Sequence, residues 1–329
     1  MATIRLHGNK WQSRIYKKGY STQIRSFLTK RDAERWARQV EADIEKGAFT
    51  NSNLAEQTTF KELIQRYMHE VTPSMRGKHE DLIRLNAIAR RPISQLNMLV
   101  LTPTKIAEYR DERLKQVSSG TVIRELCYLS SIINHARREW GINIANPVSL
   151  VKKPPSPKGR TRILSNEEKI RLMRVLETAP KNDFSIWMPY LVEFALATAM
   201  RQGEITELQW ENVDLTKRVA YLPITKNGDS RYVPLSSQAI KILNELPRSI
   251  DGRVFPVKRS TVSVRFTRIA RIAGVHNFRF HDLRHTAITA MADKLPNVLE
   301  LSAVTGHKTL SMLKRYTHFK AEDLAKKLG

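Results

Sequence analysis

Between His281 and His318 the chain carries His281-Asp282-Leu283-Arg284-His285, then Thr305-Gly306-His307, then Arg315-Tyr316-Thr317-His318. His281 and Arg284 are three apart, so on a helix they share one face. His307 follows a glycine turn, and Tyr316 comes nine residues later. If these side chains converge, they make a site for one job: a tyrosine attacking a phosphodiester held by cations. The transition state of that transfer carries charge on non-bridging oxygens, so positioning and electrostatics supply most of the rate. Arginine suits the task, because its fork donates two hydrogen bonds to a phosphate and stays charged. Arg201 follows the strongly apolar helical stretch 188–198 and is held there by packing. Lys226 falls at the tip of an expected hairpin, from which a side chain can reach into a bound groove. Tyr316 would form a covalent phosphotyrosine. The nucleophile must lose a proton and the leaving 5′-oxygen must gain one, and His281 and Lys226 are the available carriers. The arginines neutralise the charge, so the chemistry requires no metal and no cofactor.

Each residue also has an ordinary explanation. Arg201 can simply pair with Glu204 or Glu207. Lysines such as Lys226 are common in turns. His281 can be a helix-start residue, and Tyr316 a half-buried aromatic. The combination carries the reading, not any one member.

These residues need a scaffold. From Leu164 the pattern predicts a helix capped by Ser165 and Glu168, then a buried helix over 188–198, ending before Arg201. Strands over 215–222 and 231–235 form a hairpin with Lys226-Asn227-Gly228-Asp229 at its turn. Helices follow at 237–246 and 260–273. Upstream, 3–6, 11–16 and 21–28 alternate as strands, and a helix begins after Thr29, with Ala33, Trp36, Ala37, Val40 and Ile44 on one face. Residues 47–58 are polar without a period and read as a linker. Residues 59–149 read as helices, with Pro103 opening one and Ser118-Ser119-Gly120-Thr121 another. Cys127 and His135 fall in that last apolar pattern, and Cys127 reads as a buried small residue. The Pro- and Lys-rich run Lys152–Arg160 reads as an extended second linker. The fold class is mainly α with small β-sheets (α+β). Three domains are expected, at 1–50, 59–152 and 161–329.

The charge points to a polyanionic partner. Of 329 residues, 56 are Lys or Arg and 32 are Asp or Glu, a net charge of +24. Residues 1–50 contribute +6, residues 51–158 +7 and residues 159–329 +11, so each segment is suited to touch that partner. In the first module Arg14, Lys17, Lys18 and Arg25 are candidate phosphate contacts, and in the second linker so are Lys152 and Lys153. A twisted three-stranded sheet can enter a DNA groove. No apolar run approaches the roughly 18–20 residues of a membrane span, and the first residues have no apolar secretory core. One cysteine cannot make an intrachain disulfide, which fits a reducing cytoplasm.

The motifs resemble those of the tyrosine recombinases of the phage-integrase family. Ala197-Thr198-Ala199-Met200-Arg201-Gln202-Gly203-Glu204 resembles the family's first arginine motif, and Thr225-Lys226-Asn227 its hairpin lysine. His281-Asp282-Leu283-Arg284-His285-Thr286 resembles the His-x-x-Arg box, Leu301 through His307 the next box, and Arg315-Tyr316-Thr317-His318 the nucleophile box. The spacings agree, at 23 from Arg284 to His307 and nine on to Tyr316. Ala199 departs from the family's usual Gly, without removing a reactive group. The first two modules resemble the arm-binding domain and the helical, SAM-like core-binding domain of the larger integrases.

The resemblance implies roles. Arg201 and Arg284 clamp the scissile phosphate, and Glu204 buttresses Arg201. His281 assists proton transfer and phosphate binding. Lys226 protonates the leaving 5′-hydroxyl, His307 hydrogen-bonds the phosphate, and Tyr316 becomes linked to the 3′-phosphate. The phosphotyrosine stores the bond energy, so no ATP is needed. The implied assembly is a homotetramer on double-stranded DNA attachment sites, exchanging strands through a Holliday junction in the cytoplasm of a bacterial host. A DNA-bending protein and an excision factor are candidate further partners. The outcome is integration and excision of a phage or mobile genetic element. The apolar positions Ala321, Leu324, Ala325 and Leu328 are expected to dock on a neighbouring subunit.

Three other readings compete. A type IB topoisomerase uses nearly the same chemistry, but the N-terminal module argues for a protein holding two DNA sites at once. A metalloprotease would use His281 and His285 at i and i+4, but Asp282 replaces the usual glutamate base and Arg284 brings a cation close to any metal. A non-catalytic DNA-binding regulator has no use for the tyrosine.

Overall fold

A computed structural model of the chain describes residues 2–18, 20, 22–45, 52–142, 144–179, 186–223, 230–314 and 316. It forms two compact units, residues 1–158 and 159–329.

The first unit opens with an antiparallel sheet of β1 (Ala2–His7), β2 (Lys10–Ile15) and β3 (Gln23–Phe27), in that order. Side chains alternate between the faces of a strand. Ser13, Ile15 and Gln23 are buried, and Ile15 packs with Ala37, Val40 and Ile44 of α1 (Lys30–Glu45). Thr29 caps this helix, its Oγ1 accepting from the Asp32 amide at 3.2 Å. Arg14 therefore lies on the opposite face, between Thr3 and Ile24 of the flanking strands.

The same unit continues with α2 (Ser52–Gln57), α3 (Phe60–Glu70), α4 (Lys78–Ala89), α5 (Pro103–Leu114) and α6 (Ser119–Glu139). Their core joins Phe60, Leu63 and Ile64 of α3 to Val122, Leu126, Leu129 and Ile133 of α6. Thr59 and Glu62 form a reciprocal capping box at the start of α3. Two sequence expectations are corrected here. Residues 52–57 are helical rather than linker, and Ala55, only 1% exposed, belongs to the core. Leu54 and Ala55 are adjacent among polar residues, which leaves no period to read. Cys127 is exposed, not buried. It lies one residue past Leu126 and so falls off the buried stripe. His135 is half-buried, edge-on to the rings of Tyr67 and Trp140.

The second unit contains α7 (Asn166–Thr178), α8 (Trp187–Thr198) and α9 (Gln202–Thr206). A sheet of β4 (Val213–Asp214), β5 (Val219–Leu222) and β6 (Arg231–Pro234) follows. Then come α10 (Ser237–Glu245), α11 (Arg259–Ile272), α12 (Phe280–Lys294), α13 (Val298–Thr305) and α14 (Leu310–Leu313). The strand expected over 215–222 is confined to Val219–Leu222; residues 215–218 are instead the turn that joins β4 to β5, in which Arg218 takes a φ of 56°. Ser165 and Glu168 make the expected capping box on α7. Leu191 and Phe194 of α8, Phe255, Phe266 of α11, and Phe280 and Leu283 of α12 centre the core. A second apolar cluster gathers Ala199, Ala287, Ile288, Leu301, Leu313 and Tyr316.

Candidate active site

The end of α8 sets the position of the first arginine. Ala199 closes the helix in the left-handed region, at φ 52° and ψ 20°, its amide donating to the Ala195 carbonyl at 3.0 Å. That conformation costs a non-glycine residue roughly 1–2 kcal/mol. The turn is held from outside, because buried Arg284 donates through Nη1 to the Ala199 carbonyl. Arg201 follows as the N-cap of α9. Glu204, one turn on, accepts from the Arg201 amide at 2.8 Å and from its Nη1 at 2.7 Å. The same carboxylate accepts from Arg231 Nη2 at 2.9 Å. Burial alone would raise the Glu204 pKa, but Arg231 and Arg201 outweigh it and hold the group below the usual carboxylate range.

The second arginine comes from α12. Arg284 is 4% exposed and donates through Nη2 to the Thr305 carbonyl at 2.6 Å. Arg201 Nη2 reaches the next carbonyl, Gly306, at 3.3 Å. These carbonyls close α13, where the helix dipole is negative and favours cations. Burial, then repulsion from Arg201, pushes the Arg284 pKa down to about 10, with Glu204 opposing, so it remains a cation at neutral pH. Arg201 and Arg231 thus share the Glu204 carboxylate, and Arg284 feels its charge without pairing with it. Such a cluster is short of negative charge and suits an anion.

The remaining groups line up as rings. His281 meets His285 edge-on, with centroids 5.3 Å apart. His285 stacks near Tyr316 at 5.8 Å, and its Nδ1 is hydrogen-bonded to the Tyr316 hydroxyl. The His307 ring lies 6.3 Å from that of Tyr316. The His281 pKa is pushed down to about 4, first by lost hydration, then by His285 and Arg284, with Asp282 opposing. The Thr305 hydroxyl donates to the Leu301 carbonyl at 2.7 Å and is hydrogen-bonded to His307 Nδ1, also at 2.7 Å, which holds that ring in place. Tyr316 is 7% exposed, packed against the second apolar cluster.

The structure therefore brings Arg201, Glu204, His281, Arg284, His307 and Tyr316 into one region of the second unit. Lys226 lies outside the described residues, as do Arg315, Thr317, His318 and residues 321–328. Asp282 faces elsewhere. It is fully buried and bound by Arg160 at 3.0 and 2.7 Å, and Arg160 also holds Asn277. Arg160, expected in the linker, is thus an anchor for the start of α12, and Asp282 is not placed as the base a metalloprotease needs. Among the described residues, no group of three or more His, Cys, Asp or Glu side chains is placed to hold a metal ion.

The candidate phosphate contacts outside this region are dispersed. Arg14, Lys17, Lys18, Arg25, Lys152 and Lys153 are all exposed. Arg14 and Arg25 project from opposite faces of the sheet, Arg25 lying over the Phe27 ring at 5.7 Å. The Lys152 carbonyl accepts from Arg110 at 2.8 Å. Two members of the site escaped sequence reasoning. Arg231 carried no signal beyond its place just after the hairpin turn. His285 carried one, since it is four residues from His281 and shares its helix face.

Comparison with known proteins agrees with this geometry. The phage integrase family model matches residues 162–323, and the phage integrase N-terminal domain model matches residues 56–153. A Haemophilus influenzae protein described as an integrase/recombinase is 36% identical over 99% of this chain and 88% of its own length. The shufflon-specific DNA recombinase of Escherichia coli is 40% identical over 80% of this chain and 70% of its own. A lambda integrase dimer bound to a COC′ core site shares the fold, with a TM-score of 0.66 at 19% identity over 96% of this chain and 94% of that one. A lambda integrase tetramer bound to a Holliday junction gives a TM-score of 0.65 at 18% identity, over 93% of this chain and 95% of that one. The chain belongs to the phage integrase family. It is a tyrosine recombinase, an enzyme of site-specific recombination that cleaves and rejoins DNA. No helix among the described residues is long and apolar enough to cross a membrane.

Proposed function

We propose that Tyr316 is the nucleophile of this recombinase and that Arg201 and Arg284 hold the scissile phosphate. The observation that carries the reading is the pair of guanidinium groups, Arg201 and Arg231, on the Glu204 carboxylate with Arg284 nearby, beside a tyrosine whose hydroxyl is hydrogen-bonded to a histidine. A phosphodiester supplies the missing negative charge. Charge developing on its non-bridging oxygens meets donors already fixed by Glu204, Thr305 and Gly306, so little reorganisation is needed as the transition state forms. Glu204 positions Arg201. His281 is neutral at pH 7 and able to exchange a proton with the phosphate region. His307 hydrogen-bonds the phosphate. Lys226, in the sequence that joins β5 to β6, protonates the departing 5′-oxygen.

In this reading residues 1–50 bind an arm-type DNA site, 59–152 hold the core site, and 161–329 carry the chemistry. The enzyme acts as a homotetramer on attachment sites, in the cytoplasm of a bacterial host. A DNA-bending protein and an excision factor set the direction between integration and excision of a phage or mobile element.

The test is covalent trapping. A substrate nicked beside the cleavage position lets the cut strand diffuse away and leaves the protein attached to DNA. Wild-type protein should give an SDS-resistant adduct, and Tyr316→Phe should bind the same DNA and give none. An adduct that persists in Tyr316→Phe would remove Tyr316 from its role. Arg201→Lys and Arg284→Lys should each slow adduct formation by roughly 10²-fold or more while changing affinity far less.

A further inference from the structure

A phenol at neutral pH is a weak nucleophile, because its proton leaves only near pH 10. Something must take that proton as the oxygen attacks phosphorus. The sequence offers His281 and Lys226, but the structure places a different group on the hydroxyl. His285 is half-buried on α12, directly after Arg284, and its Nδ1 is hydrogen-bonded to the Tyr316 hydroxyl. The two rings are nearly parallel, 26° apart. The backbone carbonyl of His285 accepts from Thr289 Oγ1 at 3.0 Å. His281 meets the His285 ring edge-on, at 5.3 Å between centroids. Nδ1 of His307 is engaged by Thr305. A neutral imidazole is the side chain best matched to accept a proton near pH 7.

We propose that His285 is a further catalytic residue, whose Nδ1 accepts the Tyr316 phenolic proton during cleavage and returns it during rejoining. This rests on the assignment of Tyr316 as nucleophile. In cleavage the O–H bond of Tyr316 breaks and its proton passes to Nδ1. The freed electron pair forms the bond from the phenolic oxygen to phosphorus. The bond from phosphorus to the 5′-oxygen breaks, and that oxygen takes a proton from a separate acid, the role given to Lys226. Rejoining runs the same steps backwards. The 5′-hydroxyl attacks, its proton returns to the acid, and the departing phenolate recovers its proton from His285. The titratable and charged groups around His285 are His281 and Arg284 on its own helix, Tyr316, and His307 across the Tyr316 ring, with the charge of Asp282, whose carboxylate is turned to Arg160, also felt there.

The experiment is single-turnover adduct formation by the full chain on a nicked substrate, made with an ordinary 5′-oxygen or with a bridging 5′-sulfur. Sulfur leaves without a proton, so it bypasses the acid but not the base. His285→Gln and His285→Asn can still hydrogen-bond the phenol but cannot serve as a base near neutrality. Both should bind DNA within about threefold of wild type and form adduct roughly 10²-fold slower. Their defect should persist on the sulfur substrate, where Lys226→Ala recovers. Their rates should also lose the histidine limb of the wild-type pH profile. Three results would overturn the proposal: wild-type rates in both variants, recovery of both on the sulfur substrate, or an unchanged pH profile. Failure of the underlying assignment reads differently, as an adduct surviving in Tyr316→Phe.

Discussion

Arg284 and Arg201 donate to consecutive carbonyls at the end of α13, Thr305 at 2.6 Å and Gly306 at 3.3 Å. One helix terminus therefore spaces two guanidinium groups that are 83 residues apart in the chain, and the next residue is His307. Gly306 makes the terminus possible. Its φ is 68°, and a Cβ there would lie 1.9 Å from Arg231 Nη1. Gly306→Ala should lower stability by about 1–2 kcal/mol from backbone strain and push Arg231 off Glu204. Urea unfolding reads the first effect and adduct formation the second. Wild-type stability in this variant would mean that the turn is not held as described.

Glu204 offsets the charge of both Arg201 and Arg231. Glu204→Gln keeps the shape and an acceptor oxygen but leaves the guanidinium groups uncompensated. Breaking a buried pair in this way costs about 3 kcal/mol. Short cognate DNA should recover part of the loss, because its phosphate replaces the missing charge and binding stabilises the folded state. Unfolding midpoints with and without DNA check this. A variant as stable as wild type without DNA would contradict the account.

Acid should act in two phases. The His281 pKa is about 4 in the folded chain against an ordinary 6.5. Between those values the unfolded state binds more protons, so stability falls as pH drops from about 6.5 to 4. Glu204 and Asp282 have pKa values held below the usual carboxylate range by their arginine partners. Their contribution is present above the unfolded carboxylate range and is lost as pH falls below about 4. His281→Asn should flatten the upper phase only. Urea midpoints from pH 8 to pH 3 measure both, and an upper phase unchanged in His281→Asn would assign it to other groups.

Legibility followed the range of each interaction. His281 and Arg284 are three apart on one helix, so spacing alone placed them together. Arg201 was found because a strongly apolar run stops just before it. Arg231 was not, since its partner Glu204 is 27 residues away and no local pattern joins a strand start to a helix first turn. The same holds for Arg160, which anchors Asp282 from a stretch that composition marks as linker. His285 was overlooked for another reason: its neighbours His281 and Arg284 already accounted for the motif, and only the fold shows which ring nitrogen meets the phenol. The helix at 52–57 was invisible because, among its described residues, only Ala55 is buried. Ala199 read as a substitution of no consequence. In the fold it is a left-handed residue whose carbonyl holds Arg284.

The N-terminal sheet separates two arginines that sequence treated alike. Arg14 stands on the face opposite α1, and Arg25 on the face that α1 covers. Arg14→Ala should weaken protection of an arm-type site in footprinting and reduce the salt dependence of that binding by about one counterion. Arg25→Ala should do much less. Equal effects would mean that the open face of the sheet is not the one that meets DNA.

The central claim is that the bond to DNA forms at one atom, the phenolic oxygen of Tyr316. The most direct test is to trap the wild-type adduct, digest protein and DNA, and locate the nucleotide-bearing peptide by mass spectrometry. The account predicts a single modified peptide, with the 3′-phosphate remnant on Tyr316. A remnant on any other residue would contradict it.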